Sequence, residues 1–97
     1  MRTCLLAMMA ATSITAQAQT MTLIENSVVC DDYTVMAEVL RQNRAGNDRR
    51  AYAYAQSGQC VVIEFPLKVE VLDRRDGMVR IRAETGAVAV TREQMLR

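Results

Sequence analysis

The adjacent carboxylates Asp31 and Asp32, the run Asp73-Arg74-Arg75-Asp76-Gly77 and the cysteines Cys4, Cys30 and Cys60 are the residues whose types and spacing could do chemistry. Two carboxylates can divide general acid and general base work when their surroundings push their proton affinities apart. At the start of a helix, neighbouring carboxylates act instead as caps, accepting from the orphan N–H groups of the first turn. The run from Asp73 to Gly77 lacks the alternating ligands and distal glutamate of a calcium loop. There is no histidine. That excludes Ser-His-Asp and Cys-His nucleophiles, and zinc sites that need imidazole. Tyr33, Tyr52 and Tyr54 lie in the central section, where helical tyrosines commonly half-bury the ring and leave the hydroxyl wet. The expectation is a chain with no catalytic, metal or cofactor-binding residue.

The cysteines read differently once the N-terminus is considered. Met1-Arg2 is a short positive region, and Cys4 to Ala11 is an apolar run with small residues. Ala16-Gln17-Ala18 follows as an A-x-A cleavage pattern, so residues 1–18 read as a secretory signal peptide. The apolar run falls well short of the ~20 residues that cross a bilayer, so no membrane span is expected. Cys4 precedes the apolar run and cannot be a lipidated exit residue. Removing residues 1–18 takes away Arg2 and turns 12 basic and 11 acidic residues into a balanced chain. It also leaves Cys30 and Cys60, an even pair in an exported protein, which reads as one disulfide. The remaining 19–97 make a single domain of about 80 residues, a size that buries a modest core unaided.

The stretch from Lys68 to Arg82 holds five basic residues around one turn. They are interleaved with Glu70, Asp73 and Asp76, and Glu84 follows. A nucleic-acid face needs a net positive field that displaces counterions from phosphates. A balanced chain does not supply one, so no nucleic-acid partner is expected and the stretch reads as the wet side of a β-hairpin.

The elements that place these residues follow from periodicity. Residues 19–29 form a lead-in strand carrying Met21, Leu23, Val28 and Val29. A helical segment occupies 31–58. Asp31 or Asp32 caps its first helix, whose apolar face is Val35, Met36, Val39 and Leu40 at i, i+3, i+4 spacing. Gly46 stops that helix, and Asn47-Asp48 can cap a second. Ala51 to Ala55 alternates with period 2 as a strand would, whereas its alanines, the cap before it and Gly58 after it favour helix. Helix is the expectation there. From residue 60 the pattern is β, with strands at 61–65, 68–72, 78–83 and 87–90. Val61, Ile63, Phe65, Val69, Val71, Val79 and Ile81 are expected to face inward, beneath the helix face. Thr91-Arg92-Glu93-Gln94 fits a capping box that would end the chain in a helical turn.

Residues 59–96 resemble a bacterial SH3-like domain, with short consecutive strands and a single closing turn. More narrowly, the chain resembles small exported proteobacterial proteins of uncharacterised function, in which a helical segment flanked by two cysteines precedes a compact strand run. The residues carrying that likeness are Val69-Glu70-Val71 and Gly77-Met78-Val79-Arg80-Ile81-Arg82. No aromatic residue follows Phe65, so the aromatic ligand loop of peptide-binding SH3 domains is missing and no ligand residue carries over. The reading is an α+β fold with two short helices on a small SH3-like antiparallel sheet or barrel, stapled by Cys30 and Cys60. The expected role is a non-enzymatic interaction module, periplasmic or secreted, whose partner is a protein or the cell envelope. Behind it stand an exported inhibitor or accessory subunit of an enzyme or secretion machine, and then a small carboxylate-based hydrolase using Asp31. Intact-mass measurement of the exported protein should give the mass of residues 19–97; an unprocessed chain retained in the cytoplasm would defeat both the leader and the oxidising destination.

Overall fold

The computed structural model describes residues 19–97, and the expected signal peptide, 1–18, lies outside the described residues. Along the chain come β1 (Gln19–Leu23), β2 (Ser27–Cys30), α1 (Tyr33–Arg44), α2 (Asp48–Gln56), β3 (Cys60–Ile63), β4 (Leu67–Arg75), β5 (Met78–Ala83) and β6 (Val88–Arg92), then one 3-10 turn at Glu93–Met95. The strands form a single antiparallel sheet in the order β1-β4-β5-β6-β2-β3. The α+β class and the Cys30–Cys60 disulfide are as expected.

The lead-in expected as one strand is two strands. Leu23 pairs with Leu67, and Ser27 pairs with Ile63, in one unchanged register. β1–β4 and β2–β3 are therefore two halves of a single antiparallel ribbon, bent at residues 24–26 and 64–66. Local chemistry explains the bend. Pro66 has no N–H to offer a ladder. Asn26 adopts a φ of 63°, which asparagine tolerates better than most residues, and its N–H donates to the Ile63 carbonyl at 2.7 Å. The fully buried Ser27 turns its hydroxyl back onto the Ile24 carbonyl.

The bend rolls the sheet up. β1 and β2 are four places apart in the sheet, about 19 Å if it were flat, yet Leu23 and Ser27 are joined by only residues 24–26, a reach of about 14 Å at most. The sheet must curl to connect them. The chain end completes the curl: Thr22 and Arg97 exchange backbone hydrogen bonds at 2.9 and 2.8 Å, and Leu96 bridges Leu23.

Curling creates two cores, where the sequence suggested one. Leu23, Val29, Val69, Val79, Ile81 and Leu96 fill the concave side of the sheet. On the other side Met36 and Val39 of α1 meet Cys30, Cys60, Met78 and Val90. The expected contact of the helix face with Val69, Val71, Val79 and Ile81 is thus overturned. Strand alternation sends those residues to the face that the sheet covers by itself, leaving their odd-and-even neighbours Met78 and Val90 for the helix. Val35 and Leu40 are only half-buried at its margin.

The helices start and stop largely as their residues dictate. Asp32, not Asp31, caps α1: its Oδ1 accepts from the Val35 N–H at 2.9 Å. Gly46, with φ of 78°, reverses the chain after α1. Within α1 the Arg41 guanidinium, and then the Gln42 amide, hydrogen-bond Glu38 and hold its carboxyl below the usual range. Residues 48–56 are helical; Ala51 and Tyr54, three apart, touch the core while Tyr52 faces solvent.

Two turns differ from expectation. β4 runs on to Arg75, leaving Asp76-Gly77 as a two-residue turn with φ of 52° and 80°. Positive φ at both positions matches the twist of the flanking strands, which is why Asp-Gly suits it. The capping box does not form. Thr91 belongs to β6, is fully buried, and donates its hydroxyl to the Val28 carbonyl at 3.0 Å. β6 and β2 share only the pair Cys30–Val90, and this side-chain bond takes the place of a missing rung.

Ile81→Ala in the concave core and Met36→Ala beneath the helix should each destabilise by about 2–5 kcal/mol, whereas the exposed Arg80→Ala should change stability by less than about 1 kcal/mol. Chemical denaturation measures all three. A Met36→Ala chain as stable as the parent would mean that the helices contribute no core of their own.

Candidate functional site

The bend that rolls the sheet also opens it. The last pair between β4 and β5 is Val69 with Ala83. Beyond it β5 turns away through residues 84–86, while the other chain leads back through Pro66 and Phe65 into β3. A cleft separates the free edge of β3 from the β5–β6 turn. Its inner hollow, about 210 Å³, reaches the apolar interior at Leu23, Val29 and Ile81. The outer hollow, about 410 Å³, is bordered by Val62, Phe65 and Thr85. The two share Ile63, Leu67 and Ala83. Alanines at 83, 87 and 89 leave the space open.

β3 lies at the end of the sheet order, with β2 on one side only. The Asp31 N–H donates to the Gln59 carbonyl at 2.9 Å, which makes Cys30 and Cys60 a non-hydrogen-bonded pair, the kind whose Cα atoms lie closer. Backbone alternation then commits Val61 to β2 and turns the N–H and C=O groups of Cys60 and Val62 away from β2, where Cys60 is buried and Val62 is exposed. At the other end of the sheet, β1 is covered by the hydrogen bonds to residues 95–97. Among the described residues, β3 is the edge left open.

Apolar side chains stand along that edge. Val61 is 48% exposed, Val62 49% and Phe65 63%. Val61 and Phe65 were expected inward; alternation does point Val61 and Ile63 toward the concave face, but no strand beyond β3 covers them. Phe65 sits in the bend rather than in the strand. The alternating pattern marked these residues as core, so their part in a surface was missed. The available signal was the surplus of apolar residues in Val61-Val62-Ile63-Glu64-Phe65, more than one buried face needs.

Charge along the cleft is one-sided. Asp31 lines the inner hollow, Glu64 and Glu84 line the outer one, and no lysine or arginine lines either, although Glu84 also borders a neighbouring hollow with Lys68 and Arg82. The ion pairs among the described residues are Glu38–Arg41, Glu93–Arg74 and Glu70–Arg82, so none involves these three acids. Three of the five basic residues of the hairpin are engaged elsewhere. Arg74 reaches Glu93 at 3.0 Å and the Gln19 amide oxygen at 2.7 Å. Arg75 lies 4.6 Å from the centre of the Tyr33 ring, and Arg82 meets Glu70 directly across the strands at 3.2 Å. The carboxylates Asp31 and Asp32 are not brought together as a pair: Asp32 is held by the helix start and Asp31 faces the cleft.

Cys30 and Cys60 do come together. They are direct cross-strand partners with Cα atoms 3.9 Å apart, both almost fully buried, at the inner end of the cleft. The bond closes the helical excursion at its neck and ties the open strand β3 to the paired strand β2. In the chain-entropy treatment a loop of 30 residues is worth roughly 3–4 kcal/mol. The paired replacement Cys30→Ser with Cys60→Ser should lower stability by about 2–5 kcal/mol, read by denaturation, and should speed amide exchange in β3 before β5. Equal melting of the two proteins would show that the bridge does not hold the edge strand. No protein-family model matches the chain, and no curated protein or solved structure matches it either.

Proposed function

We propose that this chain is an exported, non-enzymatic interaction module that binds a protein partner along the open edge of β3. The observation carrying this reading is the coincidence of an unpaired strand edge with exposed Val61, Val62 and Phe65 at the mouth of an apolar cleft. An open edge presents a row of backbone donors and acceptors, which natural proteins blunt with lysine, proline or cover when it has no partner. Strand addition uses such an edge, with main-chain hydrogen bonds for affinity and side-chain pockets for selectivity. The buried Cys30–Cys60 bridge supports an oxidising destination, periplasmic or secreted, and with it the signal peptide. The engagement of Asp32 as a helix cap supports the non-enzymatic reading, since the one adjacent carboxylate pair does not converge. The SH3-like reading is supported by the meander β4-β5-β6, the single 3-10 turn after it, and the return of residues 95–97 to β1.

Immobilised mature protein should recover a stoichiometric partner from the exported fraction. Val62→Lys, which places a charge on the edge, should lose that partner, and Arg80→Ala should retain it. Equal recovery by the Val62→Lys protein would move the binding surface away from β3.

A further inference from the structure

The chemistry of the cleft names the kind of segment that fits it. Its floor is apolar and open to a side chain, its near wall offers the outward N–H and C=O groups of Val62, and its rim carries Asp31, Glu64 and Glu84, of which Glu84 alone shares a neighbouring hollow with Lys68 and Arg82. This one-sidedness is not inherited from the chain as a whole, whose acidic and basic residues nearly balance. We propose that the occupant is an extended basic segment of another polypeptide, added as a strand to β3, with one large apolar side chain in the cleft and flanking lysines or arginines over the acidic rim.

The proposal rests on the edge-binding reading and deepens it by naming the partner's chemistry. A second copy of this chain fits less well. Edge-to-edge docking would bring a second Glu64 and Glu84 toward the same rim, and like charges placed together oppose association. Its contact would also be small: β3 has four residues, whereas stable interfaces bury about 1,200 Å² or more. An extended segment avoids the like-charge objection, and it inserts a side chain into the cleft where a second folded copy presents only another edge.

The test uses the oxidised protein, residues 19–97, and two synthetic peptides of about seven residues, some 23 Å long when extended. One alternates lysine with valine and a central phenylalanine; the other carries glutamate at every lysine position. Binding is read by fluorescence anisotropy and mapped on the backbone amide resonances. The basic peptide should bind on the order of tenfold more tightly than the acidic one, as like charges across the contact are avoided. Its shifts should centre on residues 59–65 and 83–87. Raising the salt from about 30 to 300 mM should weaken it as the Debye length shrinks. Glu64→Gln with Glu84→Gln, both exposed positions, should narrow the difference between the peptides and leave the melting temperature unchanged. Equal affinity of the two peptides at the β3 edge would overturn the charge preference and keep the edge reading. Shifts confined to α2 or the β4–β5 turn would overturn the site. Failure of both peptides to shift residues 59–65, alongside a natural partner that Val62→Lys still abolishes, would overturn the basic-segment proposal alone. Concentration-dependent dimerisation through β3 would overturn it in favour of a second copy.

Discussion

The structure depends on a short connection. Residues 24–26 must carry the chain between strands that stand four places apart in the sheet, and a flat sheet cannot be spanned in that distance. Everything else follows from the curl that this imposes. One face of the sheet closes over its own side chains, which lets valine, leucine and isoleucine make a core without help from the helices. The other face stays convex and available for α1. A chain of this size has little apolar surface to distribute, and dividing it between two small clusters leaves each dependent on a few residues: Leu23, Val79 and Ile81 in one, Met36, Met78 and Val90 in the other.

The disulfide acts at the weakest joint of that arrangement. The helical excursion leaves the sheet at Cys30 and returns at Cys60, and β3 is held laterally by β2 alone. Hydrogen bonds of four strand residues offer little against the entropy of a long loop. A covalent bond at the neck removes that entropy from the unfolded chain and keeps the edge strand in register. The buried position of both cysteines places the bond inside the helix-side core, so it joins the two halves of the fold where they already pack.

The cleft is the complement of the bend. For the ribbon to turn at Pro66 and Asn26, β3 must part from the line of β4, and β5 has no partner to follow it. The gap left between β3 and the β5–β6 turn is therefore built in by the same residues that close the sheet. Filling it with larger residues at 83, 87 or 89 would serve a simple core better, yet those positions are alanine. The acidic rim arises separately, because three arginines of the neighbouring hairpin, Arg74, Arg75 and Arg82, are drawn to Glu93, the Tyr33 ring and Glu70.

Much of the local structure was legible from the residues. The α1 face around Met36 and Val39, the stop at Gly46 and the helix over 48–56 follow from periodicity and caps, which operate over a few residues. The expectation of a Cys30–Cys60 bridge came from counting, and the fold places the two in register. What the residues could not disclose was which face of each strand meets which neighbour. Alternation marks two faces of a strand but does not say whether the helix or the sheet itself will cover a given one. Hence Val79 and Ile81 belong to the concave core and not beneath the helix, and the Thr91 hydroxyl bonds Val28 in place of capping a turn. The exposure of Val61 and Phe65 has the same origin. Whether an apolar strand is central or at an edge is settled by strand order, and strand order is decided by contacts between residues far apart in the chain, to which no local pattern responds.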